Sequence, residues 1–191
     1  MARTPKLGRL VVRRARPSDA PAIGRIYNEA VRTTTATFDT RPRSVRATRR
    51  WLAHHGRRHP VLVAERDRAV VAWASLSPWS DRPAYDRTVE ESVYVSAAHR
   101  GRGIGTVLLA RLLRAGRAAG HHTVLARVVE GNAASRRVHE RAGFVSVGVM
   151  REVGTKFGRR LDVRLLQLVY GVPVRRPAGG PPRRRGRTGI K

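Results

Sequence analysis

The chain has 191 residues, which fits one domain of ordinary size with short extensions. It contains no cysteine, and this excludes a disulfide framework, a thiolate nucleophile and any cysteine-ligated metal site. The longest apolar run covers only residues 69–74, far short of the ~20 residues that cross a bilayer, and the N-terminal residues lack the hydrophobic segment of a secretory signal. We therefore expect a soluble, cytoplasmic protein without a membrane partner.

Positive charge dominates the composition: 40 lysines and arginines against 13 aspartates and glutamates give a formal net charge of +27. Such a charge attracts polyanions of any kind, whether nucleic acid, a membrane surface or a phosphate-rich cofactor. The basic residues are almost all arginine, and alanine, glycine and valine are abundant. A GC-rich genome produces the same bias, so selection for nucleic-acid binding is one of two explanations, and we expect no specific nucleic-acid partner.

Strand-like and helix-like patterns alternate along the chain. In chain order, they predict a strand over residues 10–14, helices capped by Ser18 and Ser44, a strand hairpin over 61–65 and 69–76, a loop over 77–87, a strand over 89–95, a helix that ends at Gly120, a strand over 123–129, a helix over 132–142, and strands over 144–150 and 161–170. This order predicts an α/β fold with a central mixed sheet of about seven strands, flanked on both faces by about four helices.

The composition changes at both ends of the chain. Residues 173–191 are rich in proline, glycine and arginine and carry seven positive charges, which predicts a disordered tail. Residues 1–8 are a similarly unanchored basic segment. A single domain over residues 9–172, without internal repeats, is therefore expected.

A glycine-rich segment directly follows the strand predicted over residues 89–95 and opens the next helix. It reads Arg100, Gly101, Arg102, Gly103, Ile104, Gly105 and Thr106. Glycines there let successive backbone N–H groups converge on an anion, and a helix N-terminus adds its positive dipole end. The segment lacks the Gly-Lys-Ser/Thr ending of a Walker loop, and its mid-domain position disfavours a dinucleotide-binding fold. It predicts a pyrophosphate cradle, with a merely flexible glycine turn as the alternative.

The short motifs around this segment occur in the order found in a known enzyme family. They are Ile-Tyr-Asn at 26–28, Pro-Ala-Tyr at 83–85, Thr-Val-Glu at 88–90, Ser-Val-Tyr-Val at 92–95, Asn-Ala-Ala-Ser at 132–135, Val-His-Glu at 138–140 and Leu-Asp at 161–162. Over residues 11–168 the chain resembles the GNAT superfamily of acetyl-CoA-dependent N-acetyltransferases, and in particular its phosphinothricin and methionine sulfoximine branch. The resemblance implies the GNAT fold, acetyl-CoA as cosubstrate, no metal, and a homodimer.

The resemblance also assigns residues to the cofactor. It implies that residues 100–106 hold the pyrophosphate and that Asn132 binds the cofactor too. Backbone groups near Val93, Tyr94 and Val95 would hydrogen-bond the pantetheine arm where two strands splay apart. From the residues themselves we expect a β-bulge beside the cradle, which would aim backbone N–H groups at the thioester oxygen.

An amine attacks a thioester only as the free base, so the reaction needs a group that takes its proton. The resemblance assigns this role to Glu90, acting directly or through an ordered water, while Glu91 points to the opposite face of the strand. It assigns protonation of the departing thiolate to His139, whose near-neutral pKa suits the task. The residues alone leave open a surface ion pair for Glu90 and a capping or packing role against Phe144 for His139.

The acceptor pocket is expected to be lined by Phe38, Trp79, Arg82, Tyr85, Lys156 and Phe157. An arginine fork suits a carboxylate or phosphinate because it donates two parallel hydrogen bonds, and the rings would form the wall. Plain core packing is the alternative for the rings. The family usually has a tryptophan after the glycine hairpin, but this chain has Arg159 and Arg160 there, and Arg164 in the next strand. This departure concerns the acceptor rather than the cofactor or the reaction.

These observations predict an N-acetyltransferase that moves acetyl from acetyl-CoA to the amino group of a small amino acid or analogue, without a covalent enzyme intermediate. A GNAT enzyme acting on a protein N-terminus or an aminoglycoside is the alternative within the fold. A basic nucleic-acid-binding module is the alternative of another class. It would need aromatic side chains interleaved with arginine, and aromatics make up only 5% of the chain.

Overall fold

The computed structural model describes residues 9–172. Its helices are α1 (Ala20–Thr33), α2 (Val45–Ala53), α3 (Ile104–Ala118) and α4 (Ala133–Arg141). Its strands are β1 (Val11–Arg14), β2 (Val61–Arg66), β3 (Ala69–Pro78), β4 (Thr88–Val95), β5 (Thr123–Val129), β6 (Val145–Lys156) and β7 (Arg159–Val169). The expected N-terminal segment, 1–8, and arginine-rich tail, 173–191, lie outside the described residues.

The strands form one mixed sheet in the order β1-β2-β3-β4-β5-β7-β6. Neighbouring strands are antiparallel except β4 and β5, which run parallel and pair only from Thr88 to Glu90. Beyond Glu90, β4 pairs with β3 alone in the described part of the chain, so β4 and β5 separate. The predicted mixed sheet with helices on both faces is confirmed, and this separation opens its middle.

Helices cover both faces of the sheet because each strand alternates its side chains between them. On one face, α3 packs through residues such as Leu108, fully buried against Val89 of β4. On the other, α1 and α2 pack through residues such as Ile26 against Trp73 of β3. We call these the α3 face and the α1 face. Each fully buried side chain of this size contributes about 1.5–3 kcal/mol to stability, so the two layers fix which way every residue of β4 points.

The start of α1 differs from the sequence prediction. Ser18 does not cap this helix, because Pro17–Asp19 form a 3₁₀ turn and Asp19 is the N-cap residue. Arg13 holds the Asp19 carboxylate through two hydrogen bonds of 2.7 and 2.9 Å, an interaction that a neutral hydroxyl cannot match. Ser44 caps α2 as predicted, and its hydroxyl accepts a backbone N–H at 3.1 Å.

The last two strands are longer than predicted. β6 and β7 form an extended hairpin in which the pairing shifts between Ser146 and Gly148 and again between Met150 and Gly154. These shifts disturb the two-residue alternation on which the prediction of strand length rests. The β-bulge expected beside the cradle is not found in β4, whose register with β3 is unbroken. Within the described residues, no helix is both long and apolar enough to span a membrane.

Candidate active site

The glycine-rich segment between β4 and α3 has the backbone geometry expected of an anion cradle. Gly101 and Gly103 both have a φ of +74°, which residues with a Cβ rarely adopt. A Cβ built on either glycine would meet no atom within 4 Å, so open space lies beside them. Gly103 is also the N-cap residue of α3, and the turn therefore ends at a helix N-terminus.

The cradle is a row of backbone donors without acceptors. Within the described part of the chain, the N–H groups of residues 101–106 make no hydrogen bond, and the first N–H bonded inside α3 is that of Val107, to the Gly103 carbonyl at 3.1 Å. The first turn of α3 contains no acidic residue, while Arg100 and Arg102 flank the glycines. Free N–H groups at a helix N-terminus beside basic residues bind phosphate groups. These residues therefore fit a diphosphate.

The predicted pantetheine residues lie along the part of β4 that has separated from β5. Val93 and Val95 point to the α3 face, where a Cβ on Gly105 would lie 4.0 and 3.7 Å from their side chains. Tyr94 points to the α1 face and stacks on Trp73, with ring centroids 4.8 Å apart. Its side chain is therefore occupied, and its backbone faces Trp73 in the β3–β4 ladder, because the neighbouring hydrogen-bonded pair joins the Ser96 N–H to the Val71 carbonyl. Of the three residues, only Val93 and Val95 direct backbone groups to the opening, so the prediction for Tyr94 is wrong.

The other predicted cofactor residues differ in what they can offer. The Arg100 Nε donates to the Val95 carbonyl at 3.1 Å, which ties the cradle to the end of β4. Ile104 is buried in the core, so only its N–H is available. The Asn132 Oδ1 caps α4 by accepting a backbone N–H at 3.0 Å, whereas its Nδ2 has no partner among the described residues. That amide nitrogen is free to donate to a ligand.

Glu90 lies at the point where β4 and β5 separate, and it points to the α1 face. Arg127 of β5 donates to both of its carboxylate oxygens, with Nε–Oε1 at 2.5 Å and Nη2–Oε2 at 2.7 Å. Donation of these hydrogen bonds to Glu90 raises the pKa of Arg127. The Arg127 guanidinium carbon also lies 5.9 Å from the centroid of the Trp79 ring. Glu90, Arg127 and Trp79 therefore form one cluster beside the opening.

Glu91 points to the α3 face, as its place next to Glu90 predicts, and is buried against His139 of α4. The His139 Nε2 lies 2.7 Å from the Glu91 Oε1, and its Nδ1 lies 2.8 Å from the Ser135 carbonyl oxygen. Burial lowers the pKa of His139, but the charge of Glu91 and these hydrogen bonds outweigh it, so the pKa is raised. Both partners only accept, and a doubly protonated ring satisfies both. The ring also packs edge-on against Phe144 at 5.2 Å.

Of the three residues predicted in the loop after β3, the structure brings Trp79 near Arg127, the partner of Glu90. Arg82 and Tyr85 lie at the 3₁₀ turn Pro83–Tyr85, and Tyr85 is exposed. The Arg82 guanidinium makes no hydrogen bond or ion pair with any residue that the structure describes. It is therefore available to an anionic ligand.

Phe38, Lys156 and Phe157 form a second group, at the turn between β6 and β7. Lys156 is buried, its Nζ donates to the Thr37 carbonyl at 2.7 Å, and burial lowers its pKa against the opposing charge of a nearby aspartate. Phe38 lies so close over Gly154 that a Cβ there would overlap its ring. Phe157 is exposed, with its ring centroid 5.1 Å from the Lys156 Nζ. Lys156 thus anchors the segment that carries Phe38.

The arginines that depart from the family pattern are on the surface or on the other face. Arg160 forms an ion pair with Glu152 at 2.9 Å, and both are exposed. Arg164 forms an ion pair with Glu130 at 2.5 Å and shares the α3 face with its pairing partner Val128. Arg164 is therefore separated by the sheet from Glu90.

The sequence prediction did not include Arg127, although a signal for it is present. Arg127 is the one charged residue in the strand 123–129, and it lies two residues from both Leu125 and Val129. Alternation places it on the same face as those two residues. The sequence does not show that Leu125 pairs with Glu90. This pairing brings the face of β5 that carries Arg127 beside the Glu90 carboxylate.

Comparison with known proteins identifies the family to which the chain belongs. The sequence profile of the Acetyltransferase (GNAT) family matches residues 23–144, more than half of the chain. The chain belongs to the GNAT acetyltransferase family. An L-methionine sulfoximine/L-methionine sulfone acetyltransferase of Salmonella typhimurium is 40% identical over 162 residues, which cover 83% of this chain and 94% of that protein. A phosphinothricin N-acetyltransferase of Streptomyces coelicolor is 39% identical over 163 residues, 83% of this chain and 95% of that one.

Solved structures of GNAT enzymes agree with this assignment. An acetyltransferase from Salmonella typhimurium, solved with its cofactor acetyl-CoA, has a TM-score of 0.82 to this chain at 38% identity, covering 86% of this chain and 97% of that one. The predicted GNAT fold and the predicted cosubstrate are confirmed. The chain is an acetyl-CoA-dependent N-acetyltransferase, and the roles of its individual residues remain predictions.

Proposed function

We propose that this GNAT enzyme acetylates the amino group of a small amino acid or analogue, of the phosphinothricin and methionine sulfoximine type, with Glu90 as the general base. The observation that carries the proposal is the place of Glu90, which is the last residue of β4 to pair with β5 and points to the α1 face beside the opening. Relatives whose names state these acceptors align over four-fifths of the chain.

The cofactor would lie along the cradle and the separated part of β4. Residues 100–106 would bind the pyrophosphate of acetyl-CoA. The backbone groups of Val93 and the N–H of Val95, which face the opening, would hydrogen-bond its pantetheine arm. The Asn132 Nδ2 would donate from the start of α4. Acetyl-CoA held in this way would supply an acetyl thioester, which an amine attacks directly. Backbone N–H groups at the open edge of β4 are the donors that would polarise its carbonyl.

Glu90 would act on the acceptor. An α-amino group titrates near pH 8 and is largely protonated at neutral pH, so it must lose a proton before it becomes a nucleophile. A carboxylate within reach, directly or through one water, takes that proton and raises the rate by about 10²–10⁴-fold in typical enzymes. Trp79 would form part of the wall of the acceptor site, and Arg82 is free to bind an anionic side chain.

His139 would return a proton to the thiolate. Against the effect of burial, the charge and hydrogen bond of Glu91 raise the pKa of His139, which favours the protonated ring that a general acid needs. Because both ring N–H groups are hydrogen-bonded, the Nε2–H would have to leave Glu91 to reach the thiolate. The alternative is that His139 only holds α4 on β4, through Glu91 and Phe144. The variants His139→Gln and Glu91→Gln together distinguish the two. Both break the same buried pair and should lower the melting temperature, but only His139→Gln removes the acid. A kcat lowered by the same amount in both variants would leave His139 with the packing role alone.

An acceptor panel tests the proposed activity. Thiol release from acetyl-CoA would be followed with phosphinothricin, methionine sulfoximine, methionine sulfone, common amino acids, an aminoglycoside and peptides with free N-termini. We expect turnover with the amino-acid analogues. Turnover with the peptides or the aminoglycoside alone would replace the proposed acceptor class with another.

The Glu90→Gln variant tests the general base. We expect kcat to fall by about 100-fold or more, while the affinity for coenzyme A measured by calorimetry stays the same. Glu65→Gln is the matched control, because Glu65 is also a strand glutamate paired with an arginine, Arg13, but at the β1–β2 edge. Full activity of Glu90→Gln across the pH range would remove Glu90 from this role. The homodimer and the cytoplasmic location stay predictions of the same proposal.

A further inference from the structure

The ion pair between Glu90 and Arg127 conflicts with a simple general-base role. Both carboxylate oxygens of Glu90 accept hydrogen bonds from the Arg127 fork, at 2.5 and 2.7 Å. With the guanidinium fork on both oxygens, Arg127 occupies the edge of the carboxylate that faces it and blocks an acceptor from that side. An acceptor amine must therefore displace Arg127 from at least one oxygen before Glu90 can take its proton.

Displacing the guanidinium leaves its positive charge without a partner. The Glu90 side chain is only 20% exposed, and separating a partly buried pair is unfavourable unless both charges find new partners. A cationic acceptor satisfies Glu90 but adds a second positive charge beside Arg127. An acceptor that carries a carboxylate next to its ammonium group provides a partner for each member of the pair.

We infer that Arg127 binds the α-carboxylate of the acceptor, so that the zwitterion of an α-amino acid exchanges partners with the Glu90–Arg127 pair. This inference rests on the proposed function and names the group that the site requires. The ammonium and carboxylate of an α-amino acid are attached to one carbon, which matches two oppositely charged side chains in direct contact. The bidentate geometry of an arginine fork suits a carboxylate as well as it suits Glu90.

The surroundings of Arg127 are consistent with a ligand-binding role. Its side chain is 53% exposed, so an acceptor can reach it. Its guanidinium carbon lies 5.9 Å from the centroid of the Trp79 ring, within the range of a cation–π contact that does not involve Glu90. Arg82 has no partner among the described residues and is left for a second anionic group, such as a phosphinate. The site then selects against peptide N-termini and aminoglycosides, which lack an α-carboxylate.

Three matched acceptors test the inference: L-methionine sulfone, its carboxamide, and 3-(methylsulfonyl)propylamine, which lacks the carboxyl group altogether. Each is assayed by thiol release with the wild type and with Arg127→Met, Arg127→Lys and Arg111→Met. Arg111 lies exposed on α3, and its replacement removes the same charge away from the α1 face. Comparing variants separately for each acceptor cancels the different pKa values of the three amines.

We expect Arg127→Met to lower kcat/KM for methionine sulfone by about 100-fold, mainly through KM, since it removes one partner of a charged, bidentate contact. The same variant should leave the carboxamide and the simple amine within about 3-fold of the wild type. Arg127→Lys keeps the charge without the fork and should lose about 10-fold with methionine sulfone. Arg111→Met should change none of the three. Melting temperatures confirm that each variant is folded.

Two results would overturn the inference while leaving the proposed function intact. A loss of the same size for all three acceptors, carried by kcat, would mean that Arg127 only orients Glu90. A wild type that acetylates the carboxamide as well as methionine sulfone would mean that the carboxylate is not recognised. A wild type that binds acetyl-CoA but acetylates none of the three is a different result, and it would overturn the proposed function together with the inference.

Discussion

Glu90 and Glu91 are consecutive residues of β4 with opposite surroundings. Glu90 faces the acceptor side and a partly exposed arginine, whereas Glu91 is 6% exposed and faces a histidine that is 4% exposed. A guanidinium stays charged at every pH a protein encounters, but an imidazole does not. The two glutamates therefore give the protein two ion pairs. Only in the Glu91–His139 pair can the positive partner lose its charge as the pH rises.

We expect the contribution of the Glu91–His139 pair to stability to fall as the pH rises. His139 has a raised pKa in the folded protein and an ordinary value near 6.5 when unfolded. A group of this kind stabilises the fold fully below its unfolded pKa and loses that effect as the pH rises through its folded pKa. Glu91→Gln should thus cost about 2–3 kcal/mol of unfolding free energy at pH 5.5 and clearly less at pH 9.5, measured by urea denaturation.

Glu65→Gln is again the control, because Glu65 pairs with Arg13, which does not titrate between these pH values. Its cost should be the same at both ends of the range. A cost of Glu91→Gln that does not change with pH would show that His139 keeps one protonation state throughout.

Single residues were predictable where strand alternation alone decides their place. Alternation puts Glu90 and Glu91 on opposite faces, and the structure agrees. The partner of each glutamate was not predictable, because Arg127 is 37 residues away and His139 is 48 residues away in the chain. Contacts of this range depend on strand order and helix packing, which a single sequence does not state.

The cradle is an element rather than a single side chain, since it combines a turn with a helix N-terminus. Gly103 has a φ of +74° and is the N-cap residue of α3. Gly120, just past the C-terminal end of the same helix, has a φ of +86° and also has open space where a Cβ would stand. The two glycines differ in their position relative to the free N–H groups, and this difference allows a controlled test.

We expect Gly103→Val to abolish the binding of coenzyme A and Gly120→Val to leave it unchanged. Both variants force a Cβ into the left-handed region, which costs about 1–2 kcal/mol, so their melting temperatures should fall by similar amounts. Only the first puts a branched side chain beside the unpaired N–H groups of residues 101–106. Calorimetry with coenzyme A measures the binding. Equal binding by both variants would show that the pyrophosphate does not lie at the N-terminus of α3.

The elements with a strong local signal were predicted, and those shaped by distant contacts were not. Ser44 marks the start of α2, and Gly103 marks the start of α3. Both were predictable because caps and left-handed turns are local features. The start of α1 was wrong because Arg13 draws Asp19 into the N-cap position. The full length of the β6–β7 hairpin was missed because irregular pairing hides the alternation of its side chains.

At the scale of the molecule, the class of fold was predictable and the arrangement of strands was not. Seven strands interleaved with four helices imply a mixed sheet with two covered faces. The order β5-β7-β6 and the short parallel pairing of β4 with β5 are tertiary facts. The opening between β4 and β5 follows from them, and it came into the prediction through the family resemblance rather than from the residues.

The overall charge of +27 leads to a prediction about the whole chain. Every candidate site residue lies within 9–172, while residues 173–191 contribute seven basic side chains without an aromatic ring. We expect a chain lacking residues 173–191 to bind heparin more weakly, with a log–log salt slope shallower by up to about 6, since each phosphate-like contact contributes about 0.9. Its kcat/KM for acetyl transfer should equal that of the full chain.

A full-length variant with the seven tail residues changed to glutamine is the matched control, because it keeps the length and removes only the charge. If charge is the cause, both chains lose heparin affinity equally and both keep the activity. A fall in acetyl transfer in the truncated chain alone would give the tail a part in the enzyme that its charge does not explain. A fall in both would mean that the positive charge of the tail assists the binding of acetyl-CoA, whose phosphates are themselves anionic.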